Sequence, residues 1–325
     1  YKFAQILTGK ERGKAVVAVK FLREYEENSI PIKRKVQQNG KSIQGLNLSI
    51  NSYPLGTNEA YVALFSRISG TIKNLTVSGQ ITVNHMGYSN LYVGGIAAYN
   101  DEGANIVNCT SKVKLTTLHN ANEKSCFIYM GGIVGKNSGT VSKCVNEELI
   151  DFSGTAYSNI GGIAGAIALE GTDSNDISTD TKSEQYILLA VLENSTSSGI
   201  IELRRENAGG IVGNSSIGLI QNCLSKNRII SEEGNYVGGV AGYAKGTVSD
   251  CASISVLEGS NYVGGIAGAA KKLRNCYSLV DISDDSNWAG EIMGDVIYDD
   301  SGDITISHSN MMNFIFNNYY VRDEF

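Results

Sequence analysis

The sequence predicts an all-β protein, a right-handed parallel β-helix (solenoid) with capped ends. Three observations predict it. A seven-residue phrase with a glycine pair, such as YVGGIAG, recurs along the chain, and a second phrase ending in an Asn-Cys-type dipeptide follows nearly every copy. The chain also has 37 Gly against 2 Pro. Repetition at such spacings is typical of proteins whose units bury their apolar faces against one another.

The repeat length predicts the content of one unit. The glycine pairs begin at Gly94, Gly131, Gly161, Gly209, Gly238 and Gly264, which gives spacings of 37, 30, 48, 29 and 26 residues. The shortest spacing defines the bare unit. Its β-branched segments, separated by Gly, Asn, Asp and Ser, predict three strands and three turns. The longer units carry insertions, and we expect residues 115–127 and 166–190 to project as loops.

Each position of the repeated phrases has a predicted structural role. Neighbouring strand residues face opposite sides, so Val93, Val237 and Val263 are expected to point inward and the preceding aromatic residues outward. The glycine pair predicts a bulge or corner, with positive φ and close backbone approach. The residue before the cysteine position favours a left-handed turn conformation. That turn column is Asn74, Asn108, Lys143, Asn194, Asn222, Asp250 and Asn275.

The two ends lack the repeated phrases, which defines three segments. We predict an N-terminal cap with opening strands over residues 1–55, repeats over 56–294 and a C-terminal cap over 295–325. Such caps are needed because an open end exposes strand edges and core. The chain begins at Tyr1 and not at Met, so we expect a processed or truncated piece.

Composition excludes several classes of protein. Charged residues make up 18%, apolar residues 42%, and the net charge is −6. A disordered chain would have more charge and fewer aliphatic residues, and collagen would have Gly at every third position. The mild acidity argues against a nucleic-acid partner. The longest apolar runs fall far short of the roughly 20 residues that cross a bilayer, so we expect no membrane insertion.

The cysteines predict a structural column. Parallel strands would place the cysteines of successive repeats about 4.8 Å apart, and side chains stacked in that way meet the geometry of a disulfide poorly. We therefore predict a buried thiol ladder. Its members are Cys109, Cys144, Cys223, Cys251 and Cys276. Cys126 lies outside the column and is predicted to be the more exposed thiol. No C-x-x-C pair occurs, and no zinc site is predicted.

No catalytic site is predicted from the motifs. The three histidines, His85, His119 and His308, belong to no H-E-x-x-H sequence, and no G-x-S-x-G sequence occurs. The Gly-rich phrases do not fit phosphate-binding loops. Polysaccharide-cleaving β-helices carry charged residues on one outer face, so Glu202, Arg204 and Arg205 are a candidate cluster, with an exposed strand face as the alternative. We predict a protein that is not an enzyme, with a polysaccharide lyase or glycosidase as the alternative.

We expect no cofactor, although the acidic residues keep calcium binding as an alternative. Calcium binds six to eight oxygen ligands from flexible loops, and two regions are rich in aspartate, but neither the EF-hand spacing nor the nonapeptide repeat is present. Solvated acidic turns are the other interpretation. The aspartates concerned are Asp173, Asp176, Asp180, Asp281, Asp284, Asp285, Asp295, Asp299, Asp300 and Asp303.

An outward aromatic column is the candidate ligand face. Rings repeated along the stack could bind sugars or a partner surface, and they could equally stabilise one another by stacking. The column is Tyr61, Tyr92, Tyr129, Tyr236, Tyr262 and Trp288.

The paired phrases YVGGIAG and GTVSDC resemble the GLUG repeat of bacterial surface proteins. The stretches GKSIQGLNLSI and YVALFSRISGTIKNLTVSG are similar to the start of the β-helical N-terminal region of immunoglobulin A-specific metallopeptidases and related adhesins. The resemblance spans about residues 40–295. It implies extracellular or cell-surface display by a bacterium and adhesion to a host surface protein or glycan. The zinc-binding helix of the peptidases is absent, so proteolysis is not implied.

We therefore expect a monomeric, non-catalytic adhesion module. An inert spacer for a catalytic domain missing from this fragment is the remaining alternative.

Overall fold

A computed structural model describes residues 4–11, 14–21, 36–52, 59–119, 126–168, 190–283, 285–297 and 314–321. Within these ranges the structure has strands, turns, bends and irregular segments and no helix, as the sequence predicts. In this part of the chain, no helix is long and apolar enough to cross a membrane.

The described residues form 31 strands. In chain order they are β1 (Ala4–Glu11), β2 (Lys14–Phe21), β3 (Val36–Ser52), β4 (Ala60–Val62), β5 (Phe65–Ile68), β6 (Thr71–His85), β7 (Leu91–Gly94), β8 (Ala97–Asn100), β9 (Asn105–Val107), β10 (Thr110–His119), β11 (Phe127–Gly131), β12 (Val134–Asn137), β13 (Thr140–Ser142), β14 (Val145–Asn146), β15 (Ile150–Gly154), β16 (Tyr157–Gly161), β17 (Ala164–Ile167), β18 (Val191–Glu193), β19 (Thr196–Gly209), β20 (Val212–Ser215), β21 (Leu219–Gln221), β22 (Leu224–Gly238), β23 (Ala241–Ser249), β24 (Ala252–Gly259), β25 (Val263–Gly264), β26 (Ala267–Arg274), β27 (Tyr277–Ile282), β28 (Ala289–Gly290), β29 (Met293–Val296), β30 (Ile315–Phe316) and β31 (Tyr319–Tyr320).

Strands β1 and β2 form an antiparallel pair. The other 29 strands form one large sheet. Its strands pair in parallel with strands one repeat earlier and one repeat later, as in the pairings of β10 with β6 and β15. The predicted large parallel sheet is therefore confirmed.

Each repeat contributes to four columns of paired strand segments, which we call ladders A to D. Ladder A contains β4, β7, β11, β16, the ends of β19 and β22, β25 and β28. Ladder B, after the glycine pair, contains β5, β8, β12, β17, β20, the starts of β23 and β26, and β29. Ladder C, before the turn column, contains the start of β6, β9, β13, β18, β21, the ends of β23 and β26, and β30. Ladder D, after that turn, contains most of β3, whose start belongs to ladder C, the rest of β6, β10, β14, β15, the starts of β19 and β22, β24, β27 and β31.

The bare unit from Gly238 to Gly264 contains three strands, β23, β24 and β25, as predicted. They supply four ladder segments because β23 contributes to both ladder B and ladder C, and β6 likewise runs through the left-handed turn from ladder C into ladder D.

The predicted left-handed turn column is confirmed. Its φ angles are positive at Asn74 (56°), Asn108 (53°), Lys143 (55°), Asn194 (50°), Asn222 (51°), Asp250 (54°) and Asn275 (54°). Asn317 continues the column with φ of 53°. The side chains also bond along the stack, since the Asn108 amide donates to Asn74 Oδ1 at 2.7 Å. Asn and Asp suit such a column because they tolerate the left-handed conformation better than other side chains do.

The glycine pairs act by close packing and not by positive φ. None of their residues is among those with positive φ, so that half of the prediction was wrong. A Cβ on Gly95 would overlap the Gly132 carbonyl and the Ser111 hydroxyl, and a Cβ on Gly239 would overlap the Gly265 carbonyl. The corner between ladders A and B is therefore closed to any side chain, which is the predicted close backbone approach.

The core lies inside the four ladders. Val93, Val237 and Val263 are fully buried in one continuous apolar cluster, together with alternate ladder D residues such as Ile81 and Leu115. Burying each such side chain contributes about 1.5–3 kcal/mol.

The parallel ladders extend into both predicted caps. β3 pairs with β6, for example Leu48 with Ile81, and β31 pairs with β27. Of the first predicted loop, residues 115–119 belong to β10, and residues 120–125 lie outside the described residues. Residues 169–189 of the second predicted loop also lie outside them.

Candidate ligand-binding face

The predicted aromatic column occupies one register of ladder A. Tyr61 pairs with Tyr92 and Tyr92 with Tyr129. The next two repeats place Asn159 and Asn207 at this register, and Tyr236 follows. The column is therefore divided into an N-terminal stack (Tyr61, Tyr92, Tyr129) and a C-terminal stack (Tyr236, Tyr262, Trp288), with two asparagines between them.

The N-terminal stack is closed to solvent at its centre. The ring centroids of Tyr61 and Tyr92 lie 5.1 Å apart, and those of Tyr92 and Tyr129 lie 5.0 Å apart with nearly parallel planes. Tyr92 is 0% exposed and Tyr129 is 1% exposed. The prediction that these two rings form an exposed ligand face was wrong.

Side chains on ladder B cover the N-terminal stack across the glycine corner. The Tyr99 ring meets Tyr92 and Tyr61 edge-on, at centroid distances of 5.9 and 6.2 Å. The Arg67 guanidinium lies over the Tyr99 ring at 4.8 Å, and Lys136 Nζ lies 5.4 Å from the same centroid. The rings point away from the main core, as predicted, but into a second small apolar cluster.

Glu59 completes the closed end of this stack. The Tyr92 hydroxyl donates to Glu59 Oε1 at 2.8 Å, and the Tyr61 hydroxyl donates to Glu59 Oε2. Burial, with the Glu59 charge nearby, raises the pKa of Tyr92 and of Tyr61 well above the ordinary value. Both phenols are therefore held in the neutral form.

The C-terminal stack opens progressively toward solvent. Tyr236 and Tyr262 stack at 5.0 Å, and Tyr262 and Trp288 at 6.2 Å. Tyr236 and Tyr262 are partly exposed, and Trp288 is 61% exposed. Burial raises the pKa of Tyr236. The ladder B residue at the level of Tyr262 is Ala269, which is too small to cover a ring.

A groove of about 270 Å³ lies between the two stacks. Its floor is Asn159 and Asn207, where the Asn207 amide donates to Asn159 Oδ1 at 2.8 Å. We call this cavity the amide groove. Aromatic rings line both sides: Phe127 and Tyr157, which stack at 5.3 Å, on one side and Tyr236 and Tyr243 on the other.

Two charged residues and a strand irregularity shape the amide groove. Glu206 and Lys245 line it. Glu206 has φ of 73°, and the register between β19 and β22 shifts between Glu206 and Asn207. Such an irregularity bends the strand. The Oδ1 atom of Asn207 is buried without a hydrogen-bond partner in the structure.

The five column cysteines are free and buried. Each thiol donates to the carbonyl two residues earlier, as Cys251 Sγ does to Ser249 O at 3.2 Å. Ser195 occupies the same position in the interrupted repeat and donates likewise to Glu193 O. Burial raises the pKa of the Cys251 thiol. The column therefore holds small side chains with a donor from Cys109 to Cys276, after Leu75 in the preceding repeat.

Cys126 is also fully buried, so its predicted exposure was wrong. Burial raises the pKa of its thiol to about 11. Its neighbours are His85 and His119, which the sequence separates from each other by a whole repeat. Motif spacing therefore gave no sign of this group.

The other sequence candidates form no binding centre among the described residues. Arg204 and Arg205 both pair with the Glu233 carboxylate, at 3.0 and 2.6 Å, and hold the pKa of that exposed carboxyl below its usual range. Glu202 does not join them in these ion pairs.

The calcium candidates divide between two parts of the chain. Of the ten aspartates, Asp281, Asp285 and Asp295 lie in the described part, where they belong to no group of metal-ligating side chains. The other seven lie outside the described residues. They are Asp173, Asp176, Asp180, Asp284, Asp299, Asp300 and Asp303.

The amide groove was not predicted, although the sequence carries a signal for it. Asn159 and Asn207 are the two copies of the glycine phrase that lack an aromatic residue at its start. Tyr243 and Lys245 lie seven and nine residues after Tyr236, which places them beyond the corner on ladder B.

Residues 89–116 match the family model of the GLUG motif. The matched segment comprises β7, β8, β9 and most of β10, with the glycine corner and the Asn108 turn. Neither the curated proteins nor the solved structures contain a match to the chain.

Proposed function

We propose that this chain is a right-handed parallel β-helix that serves as a non-catalytic, extracellular adhesion module of a bacterium and binds a glycan in the amide groove. The GLUG motif at residues 89–116 supports the proposal through the resemblance of the repeats to bacterial surface proteins. The similarity to the N-terminal region of immunoglobulin A-specific metallopeptidases belongs to the same proposal.

The groove's combination of aromatic walls and amide floor carries the proposal. A sugar ring presents C–H groups on its faces and hydroxyls around its rim. Tyr157 and Tyr243 can contact the faces, and Asn207 and Asn159 offer hydrogen bonds to the rim. Pockets that combine apolar walls with a few placed polar groups are typical ligand sites.

The size and charge of the groove narrow the ligand class. Its volume of about 270 Å³ lies just below the roughly 300–1,000 Å³ of pockets for drug-sized molecules. It therefore suits one or two sugar units of a longer chain that continues over the open C-terminal stack. Glu206 and Lys245 favour a ligand with both donor and acceptor groups.

The geometry of the charged candidates favours binding over glycan cleavage. Glycosidases place two carboxyl groups across the scissile bond, about 5–10 Å apart. The Glu233 carboxylate is instead committed to two arginines, and Glu206 accepts from the Asn235 amide at 3.0 Å.

A glycan array tests the proposal with matched variants. Tyr157→Ala removes a ring from the groove wall, and Tyr277→Ala removes a ring of a distant exposed pair, which stacks with Tyr319 at 5.3 Å. We expect wild type and Tyr277→Ala to bind the same glycans and Tyr157→Ala to lose them, with equal melting temperatures for the two variants. If wild type binds no glycan on a broad array, the adhesion proposal fails and the inert spacer is favoured. Equal binding by both variants would place the site elsewhere.

A further inference from the structure

Two histidines and a cysteine converge where ladder D strands end. β6 ends at His85 and β10 ends at His119, and the two residues pair in register. Their ring centroids lie 5.6 Å apart. Cys126 lies directly before β11 and joins them. One ring nitrogen of each histidine and the Cys126 sulfur all lie within 4.8 Å of one another.

The cluster is sealed from solvent and incompletely bonded. His85, His119 and Cys126 are 0%, 2% and 0% exposed. His119 Nε2 lies 3.3 Å from Cys126 Sγ, and His85 Nε2 lies 2.9 Å from the Ser89 carbonyl oxygen. The Nδ1 atoms of both histidines are buried without a hydrogen-bond partner. Buried polar atoms in folded proteins are nearly always bonded, so the unpartnered Nδ1 of His85, beside His119 Nε2 and the Cys126 sulfur, indicates a missing partner.

The bond to Ser89 assigns the tautomer of His85. A carbonyl oxygen can only accept, so Nε2 carries the proton and Nδ1 presents a lone pair. Histidines that bind metals commonly donate their other ring N–H to a backbone carbonyl in this way.

The repeat pattern does not explain the cluster. The residues in register with the two histidines in the neighbouring repeats are Ser52 and Gly154. Ala156 precedes β16 as Cys126 precedes β11. Stacking therefore requires neither histidine nor cysteine at these positions, and Cys126 does not belong to the cysteine column.

We propose that His85, His119 and Cys126 form a binding site for a divalent late transition metal, with Zn²⁺ as the ion. Two imidazoles and a thiolate are ligands that Zn²⁺ favours. With bonds of about 2.0–2.1 Å to nitrogen and about 2.3 Å to sulfur, ligand atoms around a tetrahedral ion lie about 3.3–3.7 Å apart. The His119 Nε2–Cys126 Sγ separation of 3.3 Å already matches, and the other separations, which are within 4.8 Å, need to shorten by about 1.5 Å at most.

The bound ion would link the ends of three strands. It would bind Cys126 as the thiolate, so the thiol proton leaves to solvent as the Zn–S bond forms. The three ligands then tie the ends of β6 and β10 to the start of β11, which leads into the N-terminal stack. The metal site shares no residue with the amide groove, although Phe127 of the groove wall directly follows Cys126.

Cobalt and zinc titrations of the full chain, after treatment with a chelator, test the site. Co²⁺ serves as the probe because its bond to a thiolate gives a near-ultraviolet charge-transfer band. We expect one Co²⁺ per chain with this band, displacement by Zn²⁺, and a higher melting temperature with Zn²⁺. Changes to groups that only orient metal ligands weaken binding about 10–100-fold. Loss of a ligand in Cys126→Ser or His119→Gln is therefore expected to weaken it by at least ~100-fold and to abolish the metal-induced rise in melting temperature.

Cys223→Ser is the matched control because it changes a buried cysteine of the column. It is expected to retain the band, the stoichiometry and the metal-induced rise. Circular dichroism without metal identifies any variant that has not folded, and His85→Gln provides a further ligand variant. Wild type that takes up no Co²⁺ or Zn²⁺ would overturn the proposal. So would folded Cys126→Ser and His119→Gln variants that bind as wild type does.

Discussion

The N-terminal and C-terminal stacks place aromatic rings at the same register of ladder A, yet the first is closed and the second is open. Tyr92 and Tyr262 both lie between stacked rings at one face of the glycine corner. The ladder B residue across the corner from Tyr92 is Tyr99, whereas the ladder B residue across from Tyr262 is Ala269. The side chain across the corner therefore separates these two rings, although Tyr236 stays partly exposed with the Tyr243 ring 5.0 Å away across the same corner.

The largest expected effect distinguishes the two stacks directly. Tyr92→Ala empties a fully buried site, and removal of a buried aromatic side chain costs about 3–5 kcal/mol. Tyr262→Ala removes mainly stacking contacts, each worth about 0.5–1.5 kcal/mol. Free energies of unfolding from urea titrations measure both. Equal losses for the two variants would show that the covering residue does not matter.

The glycine corner is shared by both stacks, so substitutions there are expected to act equally. An added Cβ on Gly95 or on Gly239 would overlap a backbone carbonyl of the next repeat's glycine pair and a serine hydroxyl of ladder D. Overpacking of this kind costs about 1–3 kcal/mol. Gly95→Ala and Gly239→Ala are therefore expected to lower the free energy of unfolding by similar amounts. A much smaller loss near the open stack would show that this corner relaxes more easily.

Alkaline pH should weaken the closed stack through the buried phenol of Tyr92. The pKa of Tyr92 is raised from 10.0, chiefly by burial. Above pH 10 the unfolded chain loses this proton and the folded chain keeps it, so the contribution of Tyr92 to stability is constant below pH 10 and falls as the pH rises. The loss is about 1.4 kcal/mol per pH unit for one group. Tyr92→Phe removes the ionisable hydroxyl and should flatten the alkaline decline of the unfolding free energy. A profile identical to that of wild type would contradict this assignment.

The sequence was sufficient to predict features that depend on the residues of a single repeat. The Asn74 and Asn108 turns follow from the residue's own tolerance of the left-handed conformation. The close approach at Gly95 follows from the absence of a side chain. Such local features recur with the repeat.

Features that depend on contacts across the corner or between repeats were not predictable in this way. Exposure of Tyr92 depends on Tyr99, which lies on another ladder. The cluster of His85, His119 and Cys126 depends on strand register and on where the chain returns after β10. The amide groove requires the irregularity at Glu206 as well as the two asparagines. The periodicity of the sequence predicts neither the contacts across the corner nor these contacts between repeats.

The smallest expected effect lies at the open end of the C-terminal stack. Trp288 contacts one stacked ring, Tyr262 at 6.2 Å, and is 61% exposed. A single stacked pair contributes about 0.5–1.5 kcal/mol, and exposure places Trp288→Ala at the low end of that range. If a glycan chain continues from the amide groove over this stack, the same variant should also weaken glycan binding. The loss in the free energy of glycan binding should then exceed the loss in the free energy of unfolding. A loss of stability comparable to that of Tyr92→Ala would mean that the open stack is covered in solution, because an exposed ring cannot contribute so much.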